Sequence, residues 1–328
     1  MSSITTPLRF RPVYQPYIWG GTKLRSHLGR EDTPEGIVAE SWEVSSREDG
    51  MGVVAEGLHA GKTFRELLAQ DAAGILGTRV KKADFPLLIK VLDAAKTLSV
   101  QVHPNDETAA QFGGEAKTET WYILEADPGA CVYCGIAEGV SPEQYRAAIA
   151  DNTVEPLMKK IPVKVGDAIF VPGGRVHAIA EGCLLLEVQQ NSNTTYRIYD
   201  WGRVDAQGVG RELHIDQAMQ VSIFEEEGSA LTPSIPLEPL AGMPREQIMV
   251  SPYFLLERLS LEASASLPAC PESFQVLFAI DGDLEVSAGG ETVVVKAGSS
   301  VLLPAAAASA DLKAVAGAVK VMRITQPA

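Results

Sequence analysis

Residues 166–177 read GDAIFVPGGRVH, and their spacing decides how the rest of the chain is read. Five residues separate Gly166 from Pro172, one separates Pro172 from Gly174, and two separate Gly174 from His177. An apolar stretch, Ala168 to Val171, runs into a Pro-Gly-Gly turn, and the turn delivers an imidazole. With 29 Gly, 20 Pro and 5 His in 328 residues, chance would give this spacing in about two chains per thousand of the same composition, which makes it a specific signal. It predicts a strand, a tight turn and a histidine placed for metal binding.

The partner segment lies upstream, at Leu98-Ser99-Val100-Gln101-Val102-His103, followed by Pro104. Gln101 and His103 are two apart on a β-patterned stretch, so both side chains project to one face. Sixteen residues after His103, Glu119 opens a second strand, with Trp121 and Ile123 on its own face. Imidazoles from His103 and His177, a carboxylate from Glu119 and a carboxamide oxygen from Gln101 make a shell of four nitrogen and oxygen donors. Such a shell suits a divalent first-row ion completed by water or substrate; zinc is the default, and iron, manganese and cobalt stay open. The competing reading, in which His103 and His177 are ordinary strand or loop histidines, is weakened because two of only five histidines fall at matching strand positions.

The frame returns once. Gly298 precedes Pro304 by the same interval, but Ala306 replaces the second Gly and Ser309 the His. Upstream, Gln275 stands seven before the strand-ending Gly282, as Glu119 stands seven before Ala126. The second copy keeps the strand and turn and lacks the ligands. The expected architecture is mainly β with inserted helices: two small β-barrels, the second degenerate. From Glu119 to Gly166 the first copy runs 47 residues, against 23 from Gln275 to Gly298, a surplus of 24. That surplus reads as a helical insertion around 141–160, with Ser141 as N-cap, Pro142 at the first helical position and Gln144 three after the cap. Thr63 and Glu66 form a second capping box ahead of LLAQDAAGIL, and Ile215 to Phe224 reads as a short helix. Four prolines between Leu231 and Arg245 suggest a linker. The expected partition is therefore a metal-binding domain over 1–230 with an N-terminal elaboration, a Pro-rich linker over 231–248 and a degenerate barrel over 249–328.

Composition limits the partners. At 46% hydrophobic, without an apolar run long enough to span a bilayer, the chain reads as a soluble globular protein. Its opening, MSSITTPLRF, has no charged region followed by an apolar one, so the expected address is the cytoplasm. A net charge of −14 argues against nucleic acid. A small anionic substrate would need a local basic cluster, for which Lys90, Lys96, Lys117, Arg175, Arg197 and Arg203 are candidates; Lys117 shares the strand face of Glu119. Cys131 and Cys134 lie three apart on a strand pattern, so their sulfurs should diverge into opposite faces as small buried groups. Oligomeric state is left open.

Several longer motifs occur in one order: AESWEVS, PLLIKVLDAAKTLSVQVHPND, AKTETWYIL, VPGGRVHAI and QNSNTTYRIYDWGR. Together they resemble the type I phosphomannose isomerases of the cupin superfamily, and specifically their shorter bacterial branch. The resemblance runs from about Pro12 to the end and is densest between Pro86 and Arg203. It implies two cupin-type, jelly-roll barrels and one zinc ion held by Gln101, His103, Glu119 and His177. It also implies a catalytic Arg197 in the TTYR motif and a role near the sugar or in proton transfer for Lys117. Ser99 and Lys90 match positions associated with the substrate's phosphate. Ala116 departs from the Gly common before the Lys and touches only loop conformation. The implied activity is interconversion of mannose 6-phosphate and fructose 6-phosphate through an enediol. A divalent ion would stabilise the charge developing on the two oxygens, and a base must carry the proton on one face. Lys117, a carboxylate and a metal-bound water all stay open as that base. Arg197 suits electrostatic stabilisation or ring opening, because guanidinium keeps its proton. Three other readings compete: a two-His, one-carboxylate Fe(II) oxygenase, a non-catalytic sugar-binding cupin, and an isomerase of a related, unphosphorylated sugar.

Overall fold

The computed structural model describes residues 3–204, 207–225 and 228–328. Strands dominate and the helices are short insertions, as the alternating apolar patterns require. The chain forms two compact units, one made of Gln15–Glu40 and Leu92–Thr232, the other of Met1–Tyr14, Ser41–Val91 and Pro233–Ala328.

In the first of these, a five-stranded antiparallel sheet runs in the order Tyr196–Tyr199, Val100–Val102, His177–Ile179, Cys131–Ile136, Met158–Pro162. A second sheet carries Leu231–Thr232, Ala168–Val171, Glu119–Ala126 and Cys183–Gln190 in that order. One apolar cluster draws on both sheets: Val132, Cys134 and Ile179 from the first, Trp121, Ile123, Ile169, Val171 and Leu185 from the second. The residues of alternate parity on the five-stranded sheet, among them Val100, Val102, Cys131, Tyr133, Ala178 and Ile198, form another cluster with Tyr145, Ile149, Ala218 and Val221. Helices Pro142–Ala150 and Ile215–Val221 supply those last four side chains, so each face of the sheet has its own apolar cover. The Cys131 and Cys134 side chains thus belong to opposite faces and neither is in a disulfide, as the three-residue spacing anticipates.

The expected helix starts hold. Ser141 accepts from the Gln144 backbone and Gln144 reaches back to the cap, with Pro142 in the first turn. Thr63 and Glu66 do the same for Phe64–Leu76. A third capping box, Asn105 with Thr108, opens the helix Asp106–Phe112, which the sequence pattern does not announce.

The other unit repeats the plan. Its six-stranded sheet runs Ile235–Leu240, Met243–Val250, Leu255–Leu261, Val319–Thr325, Gln275–Asp281, Ser300–Leu303, and a four-stranded one runs Ser264–Pro268, Ser309–Ala314, Leu284–Ala288, Glu291–Val295. Leu259, Leu277, Val286, Val301 and Leu312 meet in a shared core. The turn of the repeat is reproduced in detail: Gly166 N–H donates to Ile123 O (2.9 Å) and Gly298 N–H to Ala279 O (2.7 Å). Ile123 and Ala279 each stand four residues after the paired landmarks Glu119 and Gln275. The stretch read from its prolines as a linker forms strands instead. Pro236 and Pro239 lie on Ile235–Leu240, the edge of its sheet, where a residue without an N–H costs the ladder little. Segments from the N-terminal part of the chain also join this unit, through the ring contacts Phe10–Phe64 (4.7 Å), Phe64–Phe85 (5.3 Å) and Phe85–Phe274 (4.8 Å).

Candidate active site

The strand register gathers the residues singled out above. Gln101 pairs with Arg197 on one side and with His177 on the other, and His177 pairs onward with Cys134. One cross-strand row of the five-stranded sheet therefore carries Arg197, Gln101, His177 and Cys134. Ser99 and His103 flank Gln101 at two-residue steps, one position beyond either end of the strand Val100–Val102. In the other sheet Glu119 pairs with Val171 and Gln189.

His103, Glu119 and His177 are 1%, 0% and 0% exposed, and their donor atoms lie within 4.8 Å of one another. The carboxylate is 3.8 Å from His103 Nε2 and 3.5 Å from His177 Nε2. Each imidazole is fixed from behind. His103 Nδ1–H donates to the Thr194 carbonyl and His177 Nδ1–H to the Arg175 carbonyl, both at 2.8 Å. The Nε2 lone pairs therefore face the cluster, as a ligating histidine requires. Burial pushes the His177 imidazole down to about 3, aided by the Lys117 and Arg175 charges, so it is neutral and able to coordinate at physiological pH. The Gln101 carboxamide donates to His177 Nε2 at 3.3 Å; a half-turn about its terminal bond presents the oxygen instead. Among these donors sits a positive charge, the Lys117 ammonium, 2.7 Å from Glu119 Oε2 and 3.2 Å from His103 Nε2. Two imidazoles with Nε2 turned inward beside a buried carboxylate make a donor set built for a cation. It fits the divalent, nitrogen and oxygen chemistry expected of these residues.

Two glycines make this assembly possible. A Cβ on Gly173 would stand 2.6 Å from Asn105 Cα and 2.7 Å from Pro104 O, so the turn can lie against the His103 strand only without a side chain. Gly174 has φ +95° and donates to His103 O at 2.7 Å. Gly173→Ala should therefore displace the Pro104–Asn105 backbone and His103 with it. The expected loss is about 1–3 kcal/mol in denaturant unfolding, together with metal content well below that of the unmutated protein by elemental analysis. Unchanged metal content would show that the close approach does not matter to the site.

Arg197 is half-buried. Its Nε donates to Ser99 Oγ (3.3 Å) and its Nη1 to Glu212 O (2.9 Å). It forms no ion pair among the described residues, because Asp200, the obvious structural partner, is taken by Arg203 and by Arg211 (2.6 and 2.7 Å). Burial works against the charge of Asp200, but these hydrogen bonds outweigh it and hold the carboxyl below its usual range. Burial, with Arg211 and Arg203 nearby, lowers the Arg197 guanidinium from its ordinary value.

The remaining candidates have other contacts. Arg203 also donates to Thr97 O (2.7 Å), Arg175 donates to Phe170 O (2.9 Å), and Lys96 is exposed. Lys90 belongs to the other unit, where it is buried with its ammonium 4.9 Å from the Trp42 ring centroid. One residue escapes the sequence reading. Glu187, buried, accepts from Trp121 Nε1–H (3.1 Å) and lies 4.0 Å from Lys117 Nζ. Its signal was a lone acid inside the apolar strand CLLLEVQQ. In the second unit, Gln275, the counterpart of Glu119, instead accepts from Arg323 (2.7 Å), which pairs with Glu257; Ser309 is exposed. The His103, Glu119 and His177 group is the one such cluster among the described residues.

Comparison with known proteins bears on this geometry. Residues 8–130 match the family described as phosphomannose isomerase type I, catalytic domain, and residues 245–325 the mannose-6-phosphate isomerase cupin domain. The mannose-6-phosphate isomerase of Streptococcus mutans is 36% identical over 299 residues, 91% of this chain and 92% of that protein. The Bacillus subtilis enzyme ManA is 36% identical over 308 residues, 92% of this chain and 93% of its own. A crystal structure of the mannose 6-phosphate isomerase from Bacillus subtilis superposes with a TM-score of 0.87 at 31% identity, covering 97% of this chain and 99% of that one. The mainly β class read from the repeat and the cupin type implied by the resemblance are thereby borne out.

Proposed function

We propose that this chain, which belongs to the type I phosphomannose isomerase family, interconverts mannose 6-phosphate and fructose 6-phosphate. The observation that carries the reading is the single cross-strand row that sets Arg197 beside Gln101 and His177, the last of them in the buried cluster with His103 and Glu119. Enzymes of this family depend on a metal. We assign that ion as zinc, one per chain, held by Gln101, His103, Glu119 and His177. When bound, it supplies Lewis-acid stabilisation to the oxygens of the enediol.

The chain's own residues then divide the work. Isomerisation removes the proton from C2 of the open-chain aldose and returns it at C1, so charge builds on both sugar oxygens. Arg197, its charge fixed and its direction set by Ser99 and the Glu212 carbonyl, offers a preorganised positive field to that charge. Lys117, between Glu119, His103 and Glu187, moves protons to and from the reacting atoms. Among the described residues, three guanidiniums, Arg197, Arg203 and Arg211, against two carboxylates, Asp200 and Glu212, leave a surplus of positive charge in a chain of net charge −14, which favours a phosphorylated sugar over a free one. Ser99 stands beside this surplus and is assigned to the phosphate end; Lys90 is assigned there by the family pattern alone. A phosphorylated sugar as substrate also favours a cytoplasmic location, and among the described residues no helix is long and apolar enough to cross a membrane.

The test is an isomerase assay on mannose 6-phosphate and on free mannose, before and after chelation. Activity is expected on the phosphorylated sugar, lost with chelator and restored by zinc. Turnover by verifiably metal-free protein would refute the metal role. A preference for free mannose would move the assignment to a sister isomerase.

A further inference from the structure

The turn after the Cys183–Gln190 strand is held by a side chain to which the sequence motifs give no role. Gln189 lies directly across from Glu119 in the strand register and is wholly buried. Both its amide hydrogens go to backbone carbonyls, those of Gln190 (2.8 Å) and Ser192 (2.6 Å). Its own oxygen has no hydrogen-bond partner among the described residues. Burying an acceptor unpaired is unfavourable, so what this amide contributes is its two donors.

Those donors fold the chain back at the strand end, and two residues beyond Ser192 comes the Thr194 carbonyl that accepts from His103 Nδ1. The same turn is clasped to the segment before Glu119. Ser192 Oγ donates to Glu115 O (3.0 Å), Glu115 N–H to Thr194 Oγ1 (2.9 Å), Asn193 N–H to the Glu115 carboxylate (2.9 Å) and Thr118 N–H to Gln190 Oε1 (2.8 Å). Lys117 lies inside the clasped segment. One turn thus governs both an imidazole of the metal cluster and the lysine beside it.

We propose that Gln189 is a positioning residue of the metal centre: it shapes the 190–194 turn and so sets the tautomer and ring orientation of His103 through the Thr194 carbonyl. The inference rests on the reading of His103 as a metal ligand. Without a carbonyl at Nδ1, the His103 proton can move to Nε2, the atom that faces Glu119, and that tautomer cannot coordinate there.

Gln189→Met keeps the length and bulk of the side chain and removes both donors. The dissociation constant for Zn²⁺, measured by competition with a chromophoric chelator, is expected to rise by about 10–100-fold, the range seen when support behind a ligating histidine is lost. The visible absorption of the Co²⁺-substituted protein should shift as the coordination changes. Ser192→Ala, a milder change that leaves the Gln189 bonds in place, should weaken Zn²⁺ binding in the same direction and combine with Gln189→Met less than additively. Zinc affinity within about twofold of the unmutated protein and an unchanged cobalt spectrum, in folded Gln189→Met, would overturn the proposal, even if thermal stability fell. If Gln189→Met does not fold, unchanged affinity in Ser192→Ala overturns it. Unmutated protein that binds neither ion refutes the metal centre itself, a separate failure.

Discussion

In the His177→Ala protein the metal content is expected to fall from one ion per chain to none, and isomerase turnover to fall with it. His177 is the hinge of the arrangement. It shares its cross-strand row with Gln101, its Nε2 faces Glu119 at 3.5 Å, and its ring meets Trp121 edge-on at 5.5 Å. Losing the Lewis acid forfeits several kcal/mol of stabilisation at the enediolate, which corresponds to a fall in kcat of about a thousandfold or more. The alanine also leaves a cavity beside Trp121, worth about 2–4 kcal/mol of stability. Circular dichroism should therefore show a folded but less stable protein. Elemental analysis decides the matter: full occupancy in the variant would remove His177 from the ligand set. Two tightly held ions per chain in the unmutated protein would contradict the degenerate character of the second cupin, where Gln275 and Arg323 occupy the corresponding strands.

The second large effect is expected at Arg197, where chemistry and binding can be separated. Its guanidinium is tethered by Ser99 and by the Glu212 carbonyl, and Asp200 is engaged by two other arginines. A residue kept only for structure would have claimed that carboxylate. Arg197→Ala should leave fold and metal content intact while kcat drops by about a hundredfold or more, the scale of losing one preorganised electrostatic donor. Arg197→Lys should restore part of the loss, since an ammonium cannot reproduce the planar fork that holds Ser99 Oγ and the Glu212 carbonyl together. Near-normal kcat in Arg197→Ala, or a loss of activity that tracks loss of metal, would show that the charge does not act on the reaction.

Much of this arrangement was legible in the chain because it depends on short-range rules. A period of two places Ser99, Gln101 and His103 on one face whatever the strands around them do. The three-residue spacing of Cys131 and Cys134 sends them to opposite faces for the same reason. Capping at Thr63 and Ser141 involves residues three apart, so it too is visible locally. The Gly-to-Pro frame repeats because both units need the same turn, with a left-handed Gly166 or Gly298 donating back to the facing strand. The prolines of 231–248 misled, since a missing N–H marks a linker and a sheet edge equally well.

What the sequence determined alone is the inventory and its parity: mainly β, two copies of one plan, one copy with metal-ligating residue types at the turn and one without, and Gln101, His103, Glu119, His177, Lys117 and Arg197 as candidates. What the tertiary structure decided is which groups meet. The row of Arg197, Gln101 and His177 is a product of strand register, and register is set by pairings 76 and 96 positions apart in the chain, counted from Gln101. Glu187 entered the site because its strand pairs with that of Trp121, and the imidazole tautomers were chosen by the carbonyls of Thr194 and Arg175. A carbonyl is common to every residue, so it leaves no mark in the sequence; its direction exists only once the chain has folded.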